Sequence, residues 1–382
     1  MDFSFSEDQN AIRDLANQIF SDRSTDEFLM SFDRSDALYD DQLWSTLAEQ
    51  GLLAITVPED FGGTGMGFTE LCFLLEEQAR RVAPIPLFSS LVLGVLPITE
   101  FGSDAQKQKY LTPLAGGELK LSAAIAELGM CEAMAGRVTA TASGDGFTLN
   151  GNLDMVPDGA SANAILVPAF DADGKQTVFI VDVEAAGVEV TAVETSRGPA
   201  EGTLVLNNVV VSADAVLGGA GNGETVLEWL EIRAEIALCA MQLGVTEEAL
   251  KRTAEYTCER KQFGAPIGSF QAVAMQAADA YIDVEAIRSS YWLALYRLEC
   301  GDDARCEMRS AKWFAADAGH RIVQSTQHLH GGMGSDVEYP IHRYYLWAKH
   351  IGNMIGNRGV QMAKLGALLA SDDSIGAAYM QV

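Results

Sequence analysis

The sequence predicts a mostly helical protein with a β domain in its middle. Two changes of texture carry that expectation. Helical periodicity gives way to short alternating runs near Lys120, and it returns at Glu224. Length sets the scale: 382 residues, at roughly 100–200 per domain, predict two or three domains. The expected division is 1–118, a helical domain; 119–223, a β-barrel or sandwich; and 224–382, a helical bundle.

The first part shows its period in Thr69–Arg80 (TELCFLLEEQAR). There Leu71, Leu74 and Leu75 share one face, and Glu76 and Glu77 are expected on the opposite, polar one. The breaker-rich run from Pro58 to Gly65 reads as a loop between helices. In the middle part, Val138–Ala142, Phe147–Gly151, Ala164–Ala169, Thr177–Val181, Val188–Val193 and Thr203–Val211 read as strands. Turns such as Gly144-Asp145-Gly146 and Asp171-Ala172-Asp173-Gly174 separate them. The last part contains three long helical patterns: Thr225–Thr257, Ser269 to about Cys300, and Ala304–His330.

Composition narrows the function classes. Hydrophobic residues make up 48% of the chain, enough for packed cores. The formal charge of −27 opposes nucleic acid and anionic lipid, which carry the same sign. No apolar run reaches about 18 residues, so no membrane span is expected. The acidic N-terminus, MDFSFSEDQN, lacks an export signal. The six cysteines form no CxxC pair and read mostly as buried thiols, which places the chain in a reducing cytoplasm. His320, His328, His330, His342 and His350 lack the spacing of a metal set, and no GxSxG elbow is present.

Two short stretches carry chemistry. In Glu259-Arg260-Lys261-Gln262-Phe263-Gly264, Arg260 offers a fork of donors suited to a pyrophosphate or a carboxylate. Phe263 offers a flat face on which an adenine could lie. In His330-Gly331-Gly332-Met333-Gly334, bare backbone N–H groups can approach a phosphate. The plainer reading of both is a helix end with its cap and a surface arginine. A third feature is the set Glu224, Glu228, Glu231 and Glu235, spaced by four, three and four residues. It reads first as one solvated helix face.

These stretches, together with Gly51–Gly63 (GLLAITVPEDFGG), Pro266–Gln271 and Glu338-Tyr339-Pro340, resemble the acyl-CoA dehydrogenase family in order and spacing. The resemblance spans nearly the whole chain. It implies the fold of that family, with an N-terminal helical domain, a β-barrel and a C-terminal four-helix bundle. It also implies an FAD whose adenosine and pyrophosphate half meets Arg260, Gln262, Phe263, Gln271, Gly331 and Gly332 across a subunit interface. His328 stands where the family uses a glutamine. The flavin-ring half departs further. The family's threonine corresponds to Ala126, and its aromatic residue after Asn150-Gly151 corresponds to Met155 or Val156.

The largest departure concerns the base. The family reaction removes an α-proton from an acyl-CoA and passes the β-hydride to FAD, which an electron-transferring flavoprotein reoxidises. The common position of the glutamate corresponds here to Ile355, and no Asp or Glu occurs from 350 to 361. Some members place it on the first long helix of the last domain, at a position corresponding to Ala234. Glu235 is adjacent and is the candidate base, with Glu231 next to be considered. The resemblance therefore implies an acyl-CoA dehydrogenase, either a self-sufficient homo-oligomer or the non-catalytic subunit of a hetero-oligomer with a second dehydrogenase-like subunit. The heteromeric relatives act on bulky acyl-CoAs such as steroid side chains. A flavin-dependent oxidase or monooxygenase on the same fold is the alternative.

Overall fold

A computed structural model describes residues 5–129 and 138–371. By internal packing the chain divides into two compact units. One comprises the described residues up to Ser35, Cys72–Ala83, and Glu235 onward; the other comprises Asp36–Leu71 and Pro84–Ala234. The helices in chain order are α1 (Glu7–Arg23), α2 (Asp26–Phe32), α3 (Asp41–Glu49), α4 (Phe68–Arg80), α5 (Leu96–Phe101), α6 (Asp104–Ala115), α7 (Gly223–Glu259), α8 (Gln271–Glu299), α9 (Arg305–Leu329), α10 (Ile341–Asn353) and α11 (Arg358–Ser371). The three long helical patterns of the sequence are thus α7, α8 and α9. The expected boundary at 118/119 falls just before the first strand, and that at 223/224 at the start of α7.

The unit built from Asp36–Leu71 and Pro84–Ala234 holds the sheet. Its strands are β1 (Leu121–Ala123), β2 (Val138–Ser143), β3 (Gly146–Val156), β4 (Ala164–Phe170), β5 (Gln176–Asp182), β6 (Val188–Thr195), β7 (Gly198–Ser212) and β8 (Val216–Leu217). They form one mixed sheet in the order β6-β7-β3-β2-β4-β5-β8, with β1 pairing parallel to β4. A two-residue loop joins β2 to β3, with Ser143 opposite Gly146 and Gly144 left-handed (φ 59°). Glycine at the first loop position is what a tight hairpin turn of this twist requires. The inward residues of β2, β3, β4, β5 and β7 share one apolar core that includes Val138, Leu149, Val167, Phe179 and Val209. Residues of β4 are buried on both faces, whereas β6 is half-exposed and bears Glu189 and Glu194, a charged edge that discourages strand addition. An unusual π-helix, Phe88–Val95, is wholly buried in the same unit.

The other unit is helical. The second half of α7 buries the run Ile236–Met241 and continues through Leu243, Val245 and Ala249. Gly244 sits where α7 meets α4 so closely that a Cβ would lie 2.1 Å from the Glu76 carbonyl oxygen. Here one sequence expectation is corrected. Glu76 and Glu77 are not on a polar face; both are buried. Ion pairs explain it. Arg80 reaches Glu76 at 2.7 Å and Glu77 at 3.0 Å, and Arg13 reaches Glu76 at 3.0 Å. Arg80 also pairs with Glu247 on α7 at 2.5 Å. Pairing and hydrogen bonding let charges leave water that apolar periodicity alone would keep outside.

No helix among the described residues is long and apolar enough to cross a membrane. Cys72, Cys239 and Cys306 are buried and Cys258 and Cys300 exposed, with no disulfide among them; Cys131 lies outside the described residues.

Candidate functional site

The ERKQFG stretch leaves α7 as a small hairpin, β9 (Lys261–Gln262) with β10 (Ala265–Pro266), in which Gln262 pairs with Ala265. Phe263 and Gly264 form the loop, both left-handed at φ 53° and 81°. Two consecutive positive φ values define the type I′ turn, which favours Asn-Gly. A phenylalanine there is held against its own preference, at a cost of order 1–3 kcal/mol. Its ring is 96% exposed and meets the Phe270 ring edge-on at 6.3 Å. The backbone of Arg260 is fixed at both ends: its N–H donates to Tyr256 O, and its carbonyl accepts from Ile267 N–H, each at 2.8 Å. The Arg260 and Gln262 side chains are exposed, and Gln271, also exposed, is the first residue of α8.

His328 and the glycine pair lie at the end of α9, where a cleft of about 660 Å³ opens between α8, α9 and the following turn. Its lining includes Gln276, Gln324, Ser325, His328, Gly331 and Tyr345. Gly331 is left-handed (φ 60°) directly after the last helical turn, so it is a C-terminal cap as well as a lining residue. Gly332 has no such backbone reason to be glycine, and a Cβ on it would meet no atom within 4 Å. The turn behind is anchored: Gln327 Nε2 donates to Gly334 O at 2.8 Å. His330 Nδ1 bonds Thr326 O at 2.8 Å, and its ring stacks on Tyr256 at 4.4 Å. Burial holds the His330 imidazole below its ordinary pKa, against the opposing pull of its bond to Thr326. The cleft is open at Gly331, and its described lining carries no carboxylate.

The residues that the resemblance sets beside a flavin ring lie in the sheet-bearing unit. Ala126 opens a 3₁₀ turn, Ala126–Gly129; the segment 130–137, which contains Met130, Cys131, Glu132 and Ala133, lies outside the described residues. Met155 is left-handed (φ 56°) and 45% exposed beside an irregularity in the β3–β7 register, while Val156 is buried.

The base region has another character. Ile355 is 5% exposed and left-handed at φ 53°, an outlier for a β-branched residue. Gln361 Nε2 donates to its carbonyl at 2.9 Å and to Glu235 Oε1 at 2.7 Å. Arg309 Nη1 donates to Glu235 Oε1 at 2.6 Å and to Gln361 Oε1 at 3.2 Å. The acidic stripe therefore runs inward: Glu224 and Glu228 are exposed, Glu231 is buried, and Glu235 is 0% exposed. Its reading as a solvated face fails for the last two. Lys312, also fully buried, donates to Ile351 O at 3.1 Å and Gly352 O at 3.2 Å, capping α10. Burial lowers its pKa, and the neighbouring Cys239 and Glu235 oppose that. Burial likewise pushes the neighbouring Cys239 thiol up to about 12.

Arg309, Gln361 and Lys312 escaped the sequence reading. The first two are far from Glu235 along the chain and carry no local signal. Lys312, a lone cation in the run Ala311-Lys312-Trp313-Phe314, was the one legible hint.

Two family models match the chain: acyl-CoA dehydrogenase, N-terminal domain, over residues 6–118, and acyl-CoA dehydrogenase, C-terminal domain, over 213–369. Acyl-CoA dehydrogenase FadE27 of Mycobacterium tuberculosis is 35% identical over 97% of this chain and 99% of its own. A solved structure of the Tcur3481–Tcur3483 steroid ACAD, in a variant form, is 41% identical with a TM-score of 0.88, covering 97% of this chain and 99% of that one. The ChsE4–ChsE5 complex from Mycobacterium tuberculosis contains a chain 35% identical with a TM-score of 0.91, covering 97% and 100%. With a hairpin, a glycine turn and a helical order that fit the same family, the chain belongs to the acyl-CoA dehydrogenases.

Proposed function

We propose that this chain is the subunit of a heteromeric, FAD-dependent acyl-CoA dehydrogenase that helps to hold the cofactor but leaves proton abstraction to a second, related subunit. One observation carries the reading. The position corresponding to the family's base is Ile355, buried in a left-handed turn, while Glu235, the candidate base on α7, has its carboxylate bound to Arg309 and Gln361. The similarity to chains of complexes described as a steroid ACAD and as ChsE4–ChsE5 supports the heteromer and a bulky acyl-CoA of the steroid side-chain type.

In this reading Arg260 and Gln262 hold the pyrophosphate, and the strained, exposed Phe263 lies against the adenine. Gln271, His328, Gly331 and Gly332 complete the contacts. The bound FAD supplies the hydride acceptor for formation of a 2-enoyl-CoA, and an electron-transferring flavoprotein takes the electrons onward. Removing the α-proton of a thioester requires a carboxylate within reach of that carbon. A carboxylate already bound to a guanidinium and an amide is committed to packing, and taking it away from Arg309 would break the pair. Glu235 accordingly serves to shape the turn at Ile355. The buried thiols Cys72 and Cys239 support a reducing, cytoplasmic setting.

The test is Glu235→Gln in this chain, co-purified with its dehydrogenase-like partner. Turnover within about threefold of the unsubstituted complex, at equal flavin content, is expected. A loss of 100-fold or more with flavin retained would make Glu235 the base and end the proposal.

A further inference from the structure

We infer that α11 is a hinged lid over the Glu235–Arg309 pair, latched by Gln361, and that it opens while the rest of the helical unit stays folded. A turn of four residues, Met354-Ile355-Gly356-Asn357, joins it to α10. Ile355 and Gly356 are both left-handed, at φ 53° and 94°. Glycine takes that conformation freely, whereas a β-branched residue is held there under strain. The turn is therefore a hinge strained in its closed position. Beyond it the helix is complete in itself. Asn357 caps the first turn, its Oδ1 accepting from the N–H groups of Gly359 at 2.9 Å and Val360 at 3.3 Å.

This helix contributes little to the core. Gln361 is the one fully buried residue on α11, and Met362 and Leu369 are exposed. In contrast, α9 buries Ala311, Ala315, Ala318, Ile322 and Val323 along its length. Elements with few buried apolar contacts open at the low end of a protein's stability range. Polar bonds fasten α11 instead. Gln361 Nε2 donates to Ile355 O at 2.9 Å and to Glu235 Oε1 at 2.7 Å, and its Oε1 accepts from Arg309 at 3.2 Å. Arg358 pairs with Asp317 of α9 at the exposed outer end. One amide thus ties the lid both to its hinge and to the pair it covers. Releasing it relaxes Ile355 and admits water to the fully buried Glu235. Strain and hydration favour opening, and the Gln361 bonds favour closing. A helix of 14 residues is marginal in water on its own, so an undocked α11 unravels and its amides exchange.

The test is amide hydrogen exchange of the full-length chain, read by mass spectrometry in a urea series below the global transition. Peptides covering 357–364, the latched half, are expected to exchange together with 365–371. Their rate should exceed that of 315–326 in α9 by at least about tenfold, with the shallow urea dependence of a local opening. Gln361→Leu keeps the size and removes the three bonds. It should speed 357–364 by at least about a further tenfold and leave 315–326 unchanged. Arg358→Gln, at the exposed pair, should speed them by less than about threefold. A latched half protected as strongly as α9 means that only the end of the helix frays, and it overturns the lid. Exchange of 357–364 that Gln361→Leu does not accelerate overturns the latch and the lid with it. The unsubstituted chain decides the first point alone, whether or not the Gln361→Leu variant folds.

Discussion

Two regions of the helical unit were shaped by opposite demands. Around the end of α9, the cleft is open and lined by exposed and half-buried side chains without a carboxylate, lysine or arginine, and a backbone position such as Gly332 is left bare without local need. Around Ile355, every polar group is turned to the protein's own use. Glu235, Gln361 and Lys312 are buried and Arg309 is half-buried, and they bind one another or backbone carbonyls. The first region looks outward for a partner, whereas the second has closed on itself. Strain tells the same story. Both regions contain a non-glycine residue near φ 53°, but Phe263 holds its ring in solvent and Ile355 buries its side chain. An exposed strained residue gains nothing from packing, so its compensation has to come from binding.

Substitutions separate the two characters. The largest effect is expected from Arg309→Met, which leaves the fully buried Glu235 without its main countercharge. Breaking a buried pair costs about 3–5 kcal/mol, read as a fall in the denaturation midpoint; a cost under about 1 kcal/mol would mean the cluster is hydrated and open. Next is Gly332→Val. It should leave Tm within about 1 °C, because a Cβ there meets no atom within 4 Å, yet weaken flavin nucleotide binding by about tenfold, or roughly 1.4 kcal/mol. Unchanged affinity would show that nothing approaches that backbone.

Phe263→Gly should move stability and binding in opposite directions. Relief of the left-handed strain is worth about 1 kcal/mol and should raise Tm slightly, while nucleotide affinity falls severalfold. A lower Tm would mean that the ring is packed rather than displayed. The smallest effect concerns His330. Burial holds its pKa below the ordinary value of 6.5, so the unfolded chain takes up the proton first as pH falls. Its contribution is complete above about pH 6.5 and is lost as pH drops through the folded value. His330→Phe, which keeps a ring to stack on Tyr256, should flatten the acid side of the stability profile by less than about 1 kcal/mol. An unchanged profile would assign the acid limb to other groups.

Much of this was legible in the sequence, and the reasons differ by region. The long helices and most strands follow from periodicity, though β4 and the second half of α7 are buried all round; the ends of α7, α8 and α9 fall within a few residues of their patterns. The open cleft was half legible. Gly331-Gly332 and the ERKQFG hairpin are local signals, and backbone demands act locally. Gln276 was not, since an amide on a helix gives no sign of whether it will line a cleft. The closed region was least legible. Glu76, Glu77 and Glu235 sit in patterns that predict exposure, and only arginines brought in by the fold make their burial tolerable. The identity of Ile355 could be read; the strain at its backbone could not.

The central claim is that this chain contributes to a cofactor site but lacks the base. Its most direct test is the visible spectrum and acyl-CoA turnover of the chain purified alone and co-purified with its dehydrogenase-like partner. The account predicts a chain that is inactive alone, with little or no bound flavin, and a yellow, active complex. A chain that on its own holds one FAD per subunit and turns over an acyl-CoA would contradict it.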